Sequence, residues 1–146
     1  MSKPTAFWDA SALVPLCVQE ATTPQARQHL RSFAPVVWWG SLVEVHSAIA
    51  RLHREAVLTS VERDGALARL ALLAEGWREI LPDDALRGLA ATLLDSHWLR
   101  AADSLQLAAA LTWSHHRPQG KRFLCGDQRL SQAARSAGFA VTELTR

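Results

Sequence analysis

Four acidic residues, Asp9, Glu44, Asp103 and Asp127, share a kind of position: each lies at or near a predicted helix start with apolar sequence close by. Gathered in one place, carboxylates without histidine or thiolate partners make an oxygen-only ligand set. Such a set suits Mg²⁺ or Mn²⁺, and Mg²⁺ keeps several waters and is often completed by substrate phosphate. Taken singly, each acid is equally explained as a helix cap. Aspartate is a favoured N-cap, and Ser41 with Glu44 has capping-box spacing, either of which contributes about 1 kcal/mol. The two readings part only if the four side chains converge.

The elements that would position them follow from apolar runs and breakers. Phe7 and Trp8 run into Asp9, which reads as a carboxylate at a strand end, and SALVPLCVQE as a short helix. Pro15 lacks the donor that an interior turn needs, so this helix is expected to begin just before it. Thr22, Thr23 and Pro24 start a second helix running to about Phe33, and Val36 to Trp39 is an all-apolar second strand. Leu42, Val45, Ile49 and Leu52 recur at helical spacing, and Thr59 with Glu62 forms a capping box, so residues 42 to 76 read as a helical hairpin bent near Leu58. A short strand over 78–82, a helix capped by Asp83 and Asp84, and a centrally buried helix from Ala101 to Trp113 follow. Phe123 to Cys125 is a strand, Asp127 opens a helix ending at Gly138, and FAVTEL is the last strand.

Strands separated by helices predict a three-layer α/β/α sandwich with a mainly parallel central sheet, as one domain over residues 1–146. In such a sheet every helix that follows a strand starts on the same edge, so the acid-bearing helix starts converge. Two carboxylates about 5 Å apart at an effective dielectric of about 20 repel by about 3 kcal/mol, more than a cap contributes. A divalent cation removes that conflict.

Composition bounds the rest. The chain is 49% hydrophobic, with a net charge of +2, which permits nucleic-acid binding without requiring it. No leader pattern and no bilayer-length apolar run is present, so a cytoplasmic protein is expected, and Cys17 and Cys125 match no zinc spacing. Arg51 with Arg54, Arg117 with Lys121 and Arg122, and Arg129 with Arg135 are small basic clusters, each explicable as solvated surface. His29, His46, His53, His97, His115 and His116 read as surface or capping residues rather than ligands. Of the six tryptophans, Trp38 and Trp39 precede the Glu44 helix and suit core or dimer packing, with base stacking as the alternative, and Trp98 stands beside Arg100.

FWDASALV, SLVEVHSAIARLHREA, LRAADSLQLAAAL and FLCGDQRLSQAARSAGFAV together make the chain resemble a PIN-domain ribonuclease, specifically the VapC-type toxins of type II toxin–antitoxin pairs. The resemblance spans nearly the whole chain and rests on order and spacing. It implies a PIN-like fold and a Mg²⁺- or Mn²⁺-dependent endoribonuclease. Asp9, Glu44, Asp103 and Asp127 would be the catalytic, metal-binding acids and Ser11 a supporting hydroxyl. Asp9 and Asp103 are assigned to direct metal contact, and Glu44 and Asp127 to orienting waters or completing a second metal position. Metal-activated water would attack, leaving 5′-phosphate and 3′-hydroxyl ends. The partners it implies are an RNA substrate, a cognate antitoxin whose tail covers the acidic pocket, and a second copy in a homodimer.

Where the family commonly has alanine and histidine this chain has Ser104 and Gln106, and where it often has threonine and an aromatic it has Cys125 and Gly126. These departures bear on fine tuning, with Gly126 expected to loosen the Asp127 turn. Two rivals stand beside this reading. A catalytically silent PIN-like domain would bind RNA or protein, but the acid set is complete. A phosphatase or receiver-like phosphoryl acceptor would want a second aspartate near Asp9, and none is there.

Overall fold

The computed structural model describes residues 3–146, so the expected domain and the MSKPTAFWDA segment are seen from Lys3 onward; the first two residues lie outside the described region. The elements are β1 (Thr5–Trp8), α1 (Ala10–Cys17), α2 (Thr23–Ser32), β2 (Ala34–Trp38), α3 (Ser41–Arg54), α4 (Ser60–Gly76), β3 (Arg78–Ile80), α5 (Asp84–Ser96), α6 (Ala101–Trp113), β4 (Arg122–Cys125), α7 (Gln128–Ala137) and β5 (Ala140–Glu143). The strands form one sheet in the order β3-β2-β1-β4-β5, and every pairing is parallel.

Both faces of the sheet are covered, which is why its strands are apolar throughout rather than alternating. Phe7, Val36, Trp38, Phe123 and Cys125 point into the layer made by α5, α6 and α7. Ala6, Trp8, Val37 and Leu124 point the other way, into the layer of α1 to α4. The period-two alternation of side chains thus assigns neighbouring residues to different cores. Aromatic rings hold the first core together: Phe7 and Phe123 stack with centroids 5.4 Å apart, and Phe139 meets Phe123 tilted at 5.5 Å.

This division has a topological consequence. The chain passes from β1 to β2 to β3 through helices on one face, then returns to β4 and β5 through helices on the other. The direction reverses between β1 and β4. A crevice opens outside the carboxyl ends of the strands at such a reversal, and Asp9 and Asp127 follow those two strands.

Local chemistry explains most boundaries. The Thr59–Glu62 capping box forms with both reciprocal bonds, and Asp83 accepts from the Leu86 amide at 2.7 Å. His53 reaches Ser60 and Arg63 across the α3–α4 turn, an ordinary structural role. Gly138 adopts φ 111°, the left-handed cap that ends α7. Two expectations are corrected. Pro15 lies inside α1, which starts at Ala10, well upstream of it; at the sixth position of an eight-residue helix a proline removes a single backbone bond, the one to the Ser11 carbonyl, and the free carbonyl of Pro15 at the helix end is taken up by the Thr23 hydroxyl at 2.7 Å. The second strand ends at Trp38, so the two tryptophans part: Trp38 is buried in the core, whereas Trp39 is 52% exposed and meets it edge-on.

Phe123 is buried in the ring stack on the strand that carries the crevice. Phe123→Ala is expected to cost about 3–5 kcal/mol, measurable as a lowered urea midpoint with an unchanged denaturant slope.

Candidate functional site

Asp9 is fixed from several directions. Its amide donates to the Leu124 carbonyl at 2.9 Å, extending the β1–β4 ladder by one residue past the strand. Its Oδ2 caps α1, accepting the Ser11 amide at 3.0 Å, and also accepts the Ser11 hydroxyl in a short hydrogen bond. Ser11 Oγ in turn accepts the Gly126 amide at 2.8 Å. A continuous chain of donors therefore runs from the β4–α7 turn through Ser11 to the Asp9 carboxylate.

That chain overturns the expectation that Gly126 loosens the Asp127 turn. Here the two turns touch: a Cβ at residue 126 would stand 3.1 Å from the Ser11 carbonyl oxygen and 3.5 Å from Ser11 Cβ. Glycine permits this approach, and its amide ties the turns together. Cys125, the neighbouring departure, fills the space beneath them. Its Sγ accepts the Asp127 amide at 3.3 Å and lies 3.9 Å from Asp9 Oδ2. Burial, with the Asp9 charge adding to it, pushes this thiol up to about 12, so it is a neutral packing group at ordinary pH.

The capping explanation holds for two acids and fails for the other two. Asp9 caps α1, and Asp127 caps α7 by accepting the Leu130 amide at 2.8 Å. Glu44 makes no capping box, because Gly40 occupies the N-cap and Ser41 is already helical and buried. Both Ser41 and Glu44 instead take hydrogen bonds from Gln106 Nε2, at 2.9 Å to Ser41 Oγ and 3.0 Å to Glu44 Oε1. Asp103 sits in the first turn of α6, whose N-cap is Arg100.

Asp103 and Asp127 line one depression, and charge links the set: Asp103 acts on Asp9 and Glu44, Asp9 on Glu44, and Asp127 on Asp103. Burial raises Asp9 to about 6, opposed by its bonds to Ser11, and the Asp103 charge adds to the rise. Burial raises Glu44 to about 7, with the charges of Asp9 and Asp103 pushing the same way. Asp103 is raised as well, by burial first and then by Asp127, while Arg100 opposes. None of the four has a salt bridge among the described residues, where the ion pairs are Arg63–Asp64, Arg87–Asp84 and Arg135–Glu143. Anionic charge has been concentrated at the edge of the sheet with no ion pair to offset it among the described residues, Arg100 alone acting on Asp103.

That donor set fits a hard divalent ion, which takes oxygen ligands and removes the mutual repulsion. Among the described residues no group of three His, Cys, Asp or Glu side chains closes around a single point. An ion here would rest on one or two carboxylates with waters and substrate oxygens filling its shell, the usual arrangement for Mg²⁺.

Gln106 and two arginines complete the surroundings without having been singled out as site residues from the sequence. Gln106 lies three residues after Asp103, hence on the same face of α6, a spacing that could have drawn attention to it. Arg100 and Arg129 line a depression of about 460 Å³ together with Asp103 and Asp127. Arg135, expected to cluster with Arg129, pairs instead with Glu143 at 3.5 Å.

No family model and no curated protein sequence matches the chain. Solved structures do. A chain of the toxin–antitoxin complex from Klebsiella pneumoniae superimposes with a TM-score of 0.67 at 14% identity, covering 97% of this chain and 99% of that one. FitAcB from Neisseria gonorrhoeae gives 0.66 at 16% identity over 95% and 97% of the two chains. VapBC2 from Rickettsia felis, bound to a DNA fragment from their promoter, gives 0.65 at 7% identity over 97% and 99%. At these identities the likeness is one of architecture, and the chain has the PIN-like α/β fold.

With Asp9 and Glu44 held above their unfolded values, the folded chain binds more protons than the unfolded one across roughly pH 4–7. Their contribution to stability is therefore full at the acid end and is lost as pH rises through about 7. Asp9→Asn keeps a side chain able to cap and removes the charge. In chelator-treated protein its melting temperature relative to wild type should be more favourable at pH 8 than at pH 5, with about 2–4 °C for each kcal/mol of relieved repulsion. An equal loss at both pH values would mark Asp9 as a cap alone.

Proposed function

We propose that this chain is a metal-dependent endoribonuclease, acting as the toxin of a toxin–antitoxin pair and hydrolysing RNA phosphodiester bonds with Mg²⁺ or Mn²⁺. The observation that carries the proposal is the set of acids at the sheet's switch point: Asp9, Glu44 and Asp103 are raised by burial and then by neighbouring acid charge, and none of the set has an ion-pair partner among the described residues. Buried, unpaired charge of this kind is costly to a fold unless a cation is part of its working state.

In this reading Asp9 and Asp103 hold the ion. When bound, a divalent cation supplies an acidified water and offsets charge developing on the phosphate. Glu44 orients the attacking water: Gln106 holds its Oε1 at 3.0 Å, which directs the carboxylate and leaves the other oxygen free of protein donors among the described residues. Asp127 caps α7 through Oδ1 and lines a depression with Asp103, so its other oxygen would be available to a water or a second ion. Ser11 keeps Asp9 aligned. No side chain acts as nucleophile, so the products carry 5′-phosphate and 3′-hydroxyl ends.

The toxin assignment draws on the fold shared with chains from toxin–antitoxin complexes. It brings with it a cognate antitoxin covering the acidic crevice and a homodimer that lengthens the RNA-binding surface. No helix among the described residues is long and apolar enough to cross a membrane, in keeping with an RNA substrate in the cytoplasm.

Purified protein incubated with total bacterial RNA and Mg²⁺ or Mn²⁺ should generate new 5′-phosphate ends, read by end sequencing. Chelation and Asp103→Ala should abolish them, and Glu44→Gln should lower kcat by about a hundredfold. An identical cleavage pattern from wild type, Asp9→Ala and Asp103→Ala, or one indifferent to chelation, would overturn the metallonuclease reading.

A further inference from the structure

Trp98 is 91% exposed, the most exposed large apolar side chain among the described residues. Its backbone setting accounts for this. The Leu99 amide donates to the His97 carbonyl at 3.0 Å, a tight turn centred on Trp98, while Leu99 packs against the core. With Leu99 anchored inward, the indole between them is carried out into solvent. An indole gains nothing in fold stability from being held there.

The surface beside it is continuous with the acid site. Trp98 and Arg100 line a depression of about 450 Å³, and Trp98 also lines a smaller one of about 210 Å³. Arg129 borders both of these and also the depression that contains Asp103 and Asp127. Neither Arg100 nor Arg129 belongs to an ion pair among the described residues, and Asp95 is the one carboxylate along the Trp98 depressions. From the acids outward the trough therefore presents carboxylates, then two free guanidinium groups, then an exposed indole.

We infer that this trough is the track for single-stranded RNA, with Arg100 and Arg129 on phosphates next to the cleaved bond and Trp98 stacking an unpaired base beyond them. The inference rests on the nuclease reading for its direction and adds a base-recognition subsite to it. Cations that follow a backbone combined with an aromatic platform are what single strands require, since every base offers a face for stacking. A duplex, whose bases are already stacked on one another, cannot use the indole.

Binding of a fluorescein-labelled 12-nucleotide single-stranded RNA, followed by anisotropy in EDTA, separates this inference from catalysis. Trp98→Ala should weaken binding about tenfold and Trp98→Phe by no more than about threefold. Arg129→Ala should reduce the salt dependence by about one phosphate contact. Oligonucleotides carrying one abasic site should lose affinity for wild type at a single position and show no such loss with Trp98→Ala. A duplex of the same sequence should not distinguish Trp98→Ala from wild type. Metal-dependent cleavage unaltered by Trp98→Ala, with unchanged affinity, would overturn the inference and leave the nuclease reading standing. Trp98-dependent binding without cleavage would do the reverse. Absence of binding by wild type, or a Trp98→Ala variant that changes only the oligomeric state or antitoxin affinity, would also overturn it, making the indole a protein contact.

Discussion

Burial of unpaired carboxylates at one edge of a parallel sheet, with their mutual repulsion added, is the constraint on which the rest of this structure turns. Asp9 is buried almost completely and lacks a cationic partner among the described residues, and Glu44 and Asp103 feel its charge or add to it. An isolated aspartate in that position would be neutralised or expelled. What retains it is a covalent and hydrogen-bonded frame: the β1–β4 ladder on its backbone, and on its carboxylate the α1 amide and the Ser11 hydroxyl, itself fastened to the Gly126 amide. The fold holds charge where the charge does not help the fold.

The frame explains the departures from the family pattern more economically than tuning of individual residues would. Gly126 permits contact between the two acid-bearing turns, Cys125 fills the space beneath them, and Gln106 ties α6 to the first turn of α3 through Ser41 and Glu44. Each is an adaptation of packing around a carboxylate rather than a ligand in its own right. Gln106 Oε1 is left buried without a partner, so the amide's bonding is spent on the donor side, toward the two oxygens that need it.

Much of this was legible in the sequence because it depends on local periodicity. Apolar runs, the Thr59–Glu62 capping box, the Gly138 terminator and the strand-then-acid order of FWDASALV all act within a few residues, and the structure reproduces them. The placement of α1 around Pro15 was not legible, because a proline late in a short helix costs only the one bond to the Ser11 carbonyl, and where the helix starts is set by Asp9 capping it. Ser41 and Glu44 misled for a related reason: capping-box spacing is a local pattern, and a glutamine about sixty residues later in the chain won the competition for both side chains.

What the sequence determined by itself, then, was the set of elements and the four acids at their starts, since residue type and spacing decide where a helix begins and which face is apolar. That strands are buried on both sides was also implicit in their composition. Only the tertiary structure decided that Glu44 is held by Gln106 and not in a capping box, that Trp38 is interior while Trp39 and Trp98 are not, and that Arg129 faces the crevice while Arg135 pairs with Glu143. The first of these outcomes depends on residues far apart in the chain, Gln106 with Ser41 and Glu44 above all. No local pattern carries the energy of such a contact.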